Sequence, residues 1–285
     1  MEQQHVSEEF ARVYKIESER WSRYEVQPTE REHSIISDAF AAVDSVISRY
    51  EQKGEGFSRE QIHIVQPGAV EEITKGKFAT AYHNWLISQI TVDRQSTEVG
   101  LAVVIAHEMF HGNGPKTPEG KVPTSHWQMI EEGIVSELEF QAYEVLRDMP
   151  AYREEIAATD RIKPWMDQLM ERAGMESSVR EQVLNSLYAF PLQEAQKIIC
   201  CFESGQTEEY KLGYLSASLK ELIQEDKLAV RGRAEEMKMF NRLVEHKGDK
   251  TRNRDEVIRD VISAYLAKDV TELRQFAYPA TSPAF

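Results

Sequence analysis

Cysteine is almost absent from this chain: Cys200 and Cys201 are the only two, and they are neighbours. Adjacent cysteines seldom satisfy disulfide geometry, and one pair cannot frame a small disulfide-held fold, so both thiols are expected to stay reduced. Basic charge is scarce as well. Lys and Arg number 34 against 48 Asp and Glu, a formal net charge of -14, which is the wrong balance for gripping a phosphate backbone or an anionic membrane surface. No apolar run approaches the roughly 20 residues of a membrane span, and the opening MEQQHVSEEFARVYKIESERW holds no apolar stretch of signal-peptide length. A soluble, cytoplasmic protein with neither nucleic-acid nor membrane partners is the expectation.

What is present is an ordinary globular composition, 41% hydrophobic over 285 residues, long enough to bury a sizeable core. Ile35, Ile36, Ala39, Phe40, Val43, Val46, Ile47 and Tyr50 recur at helical spacing and predict an amphipathic helix over 30–50. QIHIVQPG reads as a strand closed by a Pro-Gly turn, and KFATAYHNWLISQITVD as one or two more. Ser96 or Thr97 then caps a helix running to His111, with Gly112 and Gly114 as its stop signals, and a second helix is predicted from Ser125 towards Met149.

Beyond Pro150 the pattern is helical throughout: 162–173, 178–202, 208–225, a charged helix through RAEEMKMFNRLVEH, and 255–276. These features predict a mostly α-helical α+β fold in three parts: an N-terminal helical segment (1–55), a core with a small mixed sheet (56–150) and a C-terminal helical lobe (151–285). The basic run Lys247, Lys250, Arg252 and Arg254 reads as a solvated loop, and the tail YPATSPAF as a fraying end.

The chemistry concentrates in VVIAHEMFHGNG. His107 and His111 are one helical turn apart and can direct imidazole nitrogens at one metal ion, while Glu108, about 100° around the axis, is placed to act as a base without being a ligand. Two histidines leave a catalytic zinc one protein ligand short. Glu131 and Glu132, on the next helix about 20 residues after His111, are the carboxylates within reach.

His-Glu-x-x-His followed by HWQMIEEGIVSELE resembles the gluzincin branch of the zincin metallopeptidases, in which a glutamate on the following helix completes the metal site; the resemblance covers about Glu60 to Leu146. The metzincin pattern is excluded, since its third histidine would fall at Thr117. The resemblance implies a zincin-like core, a bound Zn2+ and a peptide or protein substrate, with Glu108 moving the proton from the attacking water to the leaving amine. Aminopeptidase-like members carry a Glu-Gly pair in a Trp-containing stretch, which favours Glu132 before Gly133; spacing like that of thermolysin favours Glu131.

Donors to the developing oxyanion are sought in His126, Tyr143 and Tyr188. The stretch KFATAYHNW occupies the place of the zincin edge strand, which puts His83 and Asn84 towards the substrate. PGAVEE loosely echoes the motif with which zinc aminopeptidases hold a substrate's amino terminus and marks Glu71, although Val70 and Glu72 depart from it; the alternative for Glu71 is an exposed turn. A catalytically silent zincin-like domain that keeps its metal for binding or regulation is the alternative function.

Overall fold

A computed structural model of the chain describes residues 12, 15–16, 19–54, 56–75, 81–84, 88–95, 97–115, 125–218, 240–241, 244 and 253–277. Thr29 opens the first long helix, α1 (Glu30–Ser48). Its hydroxyl accepts from the Glu32 N–H at 3.1 Å while the Glu32 carboxylate accepts from the Thr29 N–H at 2.7 Å, so two otherwise orphaned donors are satisfied reciprocally. Ile35, Ile36, Ala39, Val43, Val46 and Ile47 form its buried face, with Phe40 and Tyr50 packed half-buried beside it.

Glu32 also receives Arg94 through two bonds of 2.6 and 2.9 Å. Burial alone would raise its pKa, but Arg94 and the Thr29 cap outweigh that and hold it below the usual carboxylate range. A lowered native pKa contributes stability above the unfolded pKa, which is lost as pH falls through the native value. Glu32→Gln, which can still cap, is therefore expected to cost roughly 1 kcal/mol at pH 7 and progressively less below about pH 4. Urea melts at pH 7 and pH 3 measure the difference.

Strands β1 (Ile62–Val65), β2 (Ala81–Asn84) and β3 (Gln89–Asp93) form one mixed sheet in the order β1-β3-β2. β1 runs parallel to β3 with Ile62 opposite Ile90, and β2 antiparallel to it with Ala81 opposite Val92. The central strand β3 is buried along its whole length, which is why QITVD does not alternate cleanly. Between β1 and β2, Gly68 takes the left-handed φ of 82° at the start of a short helix, α2 (Ala69–Thr74), a conformation glycine adopts without a Cβ clash. The N–H groups of Gly68 and Val70 donate to Asp93 at 2.8 and 3.0 Å, tying this helix to the central strand.

Helix α3 (Glu98–Asn113) carries the histidines, and α4 (Ser125–Arg147) packs on it and on α1. Thr97 caps α3 by accepting from Gly100 N–H at 3.1 Å and itself donates to the Tyr188 carbonyl at 3.0 Å. Glu155 receives the Glu98 and Val99 N–H groups at 3.1 and 2.9 Å. A carboxylate at a helix N-terminus also complements the helix dipole.

The later helices differ in extent from expectation. α5 spans Arg153–Arg172 and starts well before the predicted 162. The single helix predicted over 178–202 is α6 (Ser177–Asn185), a 3-10 turn (Ser186–Ala189) and α7 (Leu192–Glu203), because Pro191 lacks an N–H and pushes Phe190 out of helical geometry. The helix predicted over 255–276 is α8 (Arg254–Leu266) and α9 (Val270–Ala277), separated at Lys268 with φ of 57°. Residues 208–218 are helical. The rest of that predicted helix, most of RAEEMKMFNRLVEH, Lys247, Lys250, Arg252 and the YPATSPAF tail lie outside the described residues.

The chain is thus mostly helical with a small three-stranded mixed sheet. One large core joins α1, the sheet, α3, α4 and α8; a second joins α5, α6 and α7. Among the described residues no helix is long and apolar enough to cross a membrane.

Candidate metal centre

The near-continuous burial of Val99, Leu101, Ala102, Val103, Ile105 and Ala106 seats α3 deep in the large core and so holds its C-terminal turns rigidly. His107 and His111 project there one turn apart, with Nε2 atoms 3.2 Å from each other. From α4, Glu132 Oε2 lies 3.4 Å from each of those nitrogens. Around a tetrahedral ion bound at 2.0–2.1 Å, neighbouring ligand atoms stand about 3.3 Å apart. The three donor atoms already form a triangle of that size, and the group can hold a metal ion. Two imidazoles and a carboxylate are one of the donor sets that zinc accepts.

Both histidines are backed on their far side. Glu139 Oε2 sits 2.6 Å from His107 Nδ1, and Glu131 Oε1 sits 3.4 Å from His111 Nδ1. A carboxylate in that place fixes the proton on Nδ1 and leaves Nε2 as the donor atom. Burial disfavours charge on either ring, yet Glu132 and Glu139 raise His107 to about 9, and Glu132 and Glu131 raise His111 well above its ordinary value. Against the same burial, His111 and His107 hold Glu132 well below the usual carboxylate range. Glu131, the alternative ligand by spacing, is therefore at the back of His111 while Glu132 faces both donor nitrogens.

Glu108 follows His107 and is half-buried; burial raises its pKa, with the two imidazoles opposing. Its carboxylate has no hydrogen-bond partner among the described residues.

Of the two glycines expected to stop the helix after His111, Gly114 stands at its end and Gly112 does not. α3 continues through Gly112 to Asn113, and Gly114 caps it in extended geometry with φ of -75°, so no left-handed residue is required. What both supply is space. A Cβ on Gly112 would overlap the Phe57 ring and stand 3.1 Å from His83 Cε1, and a Cβ on Gly114 would overlap the Tyr265 phenol. Gly114→Ala is expected to cost about 1–3 kcal/mol through overpacking; a denaturant melt with the slope unchanged checks it.

The remaining sequence-predicted residues are dispersed. Tyr188 donates to Glu139 Oε1, so it stands behind His107 and its proton is directed away from the donor triangle. Tyr143 stacks obliquely on Tyr188 at 5.6 Å and lies near Arg147 and Lys163; burial pushes its phenol up to about 12. No hydrogen bond joins Tyr143 to the donor triangle. His126 lies in the first turn of α4; its side chain is outside the described residues.

His83 packs its ring 5.9 Å from Phe57 and against Gly112, next to His111, whereas Asn84 is buried. Successive strand residues point to opposite faces, so the two cannot both front one cleft. Glu71 is exposed on α2 rather than on a turn at a sheet edge, and no contact links it to the histidines.

Neither the place of Glu139 behind His107 nor any role for Tyr265 is read from the sequence. The signal for Glu139 was its place two helical turns after Glu132, on one side of α4. Tyr265 had none, since only the packing of α8 brings it to the site. No protein-family model matches the chain, and neither a curated protein nor a solved structure is similar enough to it to count as a match.

Proposed function

We propose that the protein is a zinc-dependent peptidase of gluzincin type on a zincin-like core, with His107, His111 and Glu132 holding the ion. The observation that carries this is the donor triangle of 3.2, 3.4 and 3.4 Å, with a carboxylate behind each histidine. A structural zinc is closed by four protein ligands, whereas three ligands beside a glutamate that is not one of them is the arrangement of a hydrolytic site.

When bound, the ion supplies Lewis acidity that polarises a carbonyl and makes water nucleophilic near neutral pH. Glu108 receives the proton of the attacking water and delivers it to the departing amine. Glu139 and Glu131 hold the imidazoles with Nδ1 protonated and Nε2 aimed at the ion.

An extended peptide suits the surroundings. β2 pairs with β3 and packs against α3, and His83 in it lies beside Gly112. An extended substrate lying alongside β2 would run past the histidines.

The test is incubation of zinc-loaded protein with a mixed peptide library, read by mass spectrometry, with chelated protein and Glu108→Gln as controls. Cleavage confined to the loaded wild type is expected. Bound zinc without any cleavage would instead favour a silent metal-binding domain.

A further inference from the structure

Each of the two ligand histidines has a carboxylate behind it, and each carboxylate meets a tyrosine hydroxyl. Behind His107 stands Glu139, whose second oxygen receives the Tyr188 hydroxyl. Behind His111 stands Glu131, and the Tyr265 hydroxyl lies 3.3 Å from the Glu131 oxygen and 3.3 Å from the Phe110 carbonyl. Tyr188 comes from the 3-10 turn that precedes Pro191, and Tyr265 from the last turn of α8. Both are buried, and Gly114 is the residue whose missing side chain admits the Tyr265 ring.

We propose that Tyr188 and Tyr265 are positioning residues for the metal centre: each fixes the carboxylate behind one ligand histidine, so segments remote in sequence set the affinity of the HExxH site. This rests on His107, His111 and Glu132 being the metal ligands. A glutamate side chain has three rotatable bonds, and a hydrogen bond from the histidine restrains only one end of its carboxylate. A phenol adds a second restraint: Tyr188 on the Glu139 oxygen that His107 does not use, and Tyr265 on Glu131 Oε1, the same oxygen that faces His111. For Glu139, only 5% exposed, the phenol also supplies a donor that a buried carboxylate needs. A rigid carboxylate holds the imidazole plane, and a correctly aimed imidazole binds metal more tightly.

The two chains of contacts share no residue, so either tyrosine can decide the matter if the other variant does not fold. Zinc affinity is measured by competition with a chromophoric chelator for the wild type, Tyr188→Phe, Tyr265→Phe, Glu139→Gln, Glu131→Gln and the doubles Tyr188→Phe/Glu139→Gln and Tyr265→Phe/Glu131→Gln. Each phenylalanine is expected to weaken zinc binding roughly 3- to 10-fold, below the 10- to 100-fold typical of changing a ligand's direct partner. In the doubles the phenylalanine should add less than about twofold, because its route to the histidine is already gone.

A merely structural role predicts the same factor in both backgrounds, and that result, or unchanged affinity in the single variants, overturns the proposal. Zinc binding that survives His107→Ala strikes the ligand assignment itself, and with it this proposal, which makes the two failures distinguishable.

Discussion

Glu108→Gln is expected to retain zinc and fold while losing at least ~100-fold of peptide turnover, the ordinary scale for deleting a general base. Glutamine matches glutamate in length and shape, so the buried C-terminal half of α3 need not adjust. What changes is one property: the amide cannot take a proton from the attacking water. The carboxylate accepts no hydrogen bond from the described residues, so its replacement strands no buried donor among them. Metal content, the unfolding transition and single-turnover cleavage of a peptide found in the library screen separate the possibilities. A variant that loses its metal makes Glu108 a ligand, and one that keeps full turnover removes it from the chemistry.

Glu132→Ala and Glu131→Ala are expected to part widely, although the residues are neighbours. Successive helical positions diverge by about 100°, and here one faces the donor nitrogens while the other reaches the back of His111. Loss of Glu132, whose Oε2 is 3.4 Å from both Nε2 atoms, removes one of the three proposed ligands and should cost several kcal/mol of zinc binding, roughly 10^2- to 10^3-fold or more. Loss of Glu131 leaves all three proposed ligands and should cost about 10- to 100-fold. Chelator competition on both variants reads the order directly. The reverse order would mean that Glu131 turns to the metal when an ion binds.

The parts of the fold legible in the sequence were those decided within one or two helical turns. Periodic apolar residues marked α1, Thr97 capped α3 as a threonine before an acidic first turn should, and the β-rich stretch before it became β2 and β3. The i, i+4 spacing that pairs His107 with His111 is likewise local. Less legible was anything set by packing between distant segments. Glycine often ends helices, and Gly114 does stand at the end of α3, but Gly112 lies inside it, and both are small so that Phe57, His83 and Tyr265 can approach.

Tyr188 and Tyr143 had the right chemistry for oxyanion donors; which way they face depends on how the turn before Pro191 lies against α4, which no spacing rule contains. Pro191 was visible and undervalued: it splits a predicted helix and thereby creates the turn that delivers Tyr188. Glu139 could have been found, since seven residues after Glu132 is two turns along the same side of α4.

The most direct measurement is anomalous diffraction from zinc-loaded crystals at energies on either side of the zinc absorption edge. One peak is expected, within about 2.0–2.2 Å of His107 Nε2, His111 Nε2 and a Glu132 carboxylate oxygen. A peak at any other group of side chains, or none in protein that has bound zinc in solution, would contradict the metal centre described here.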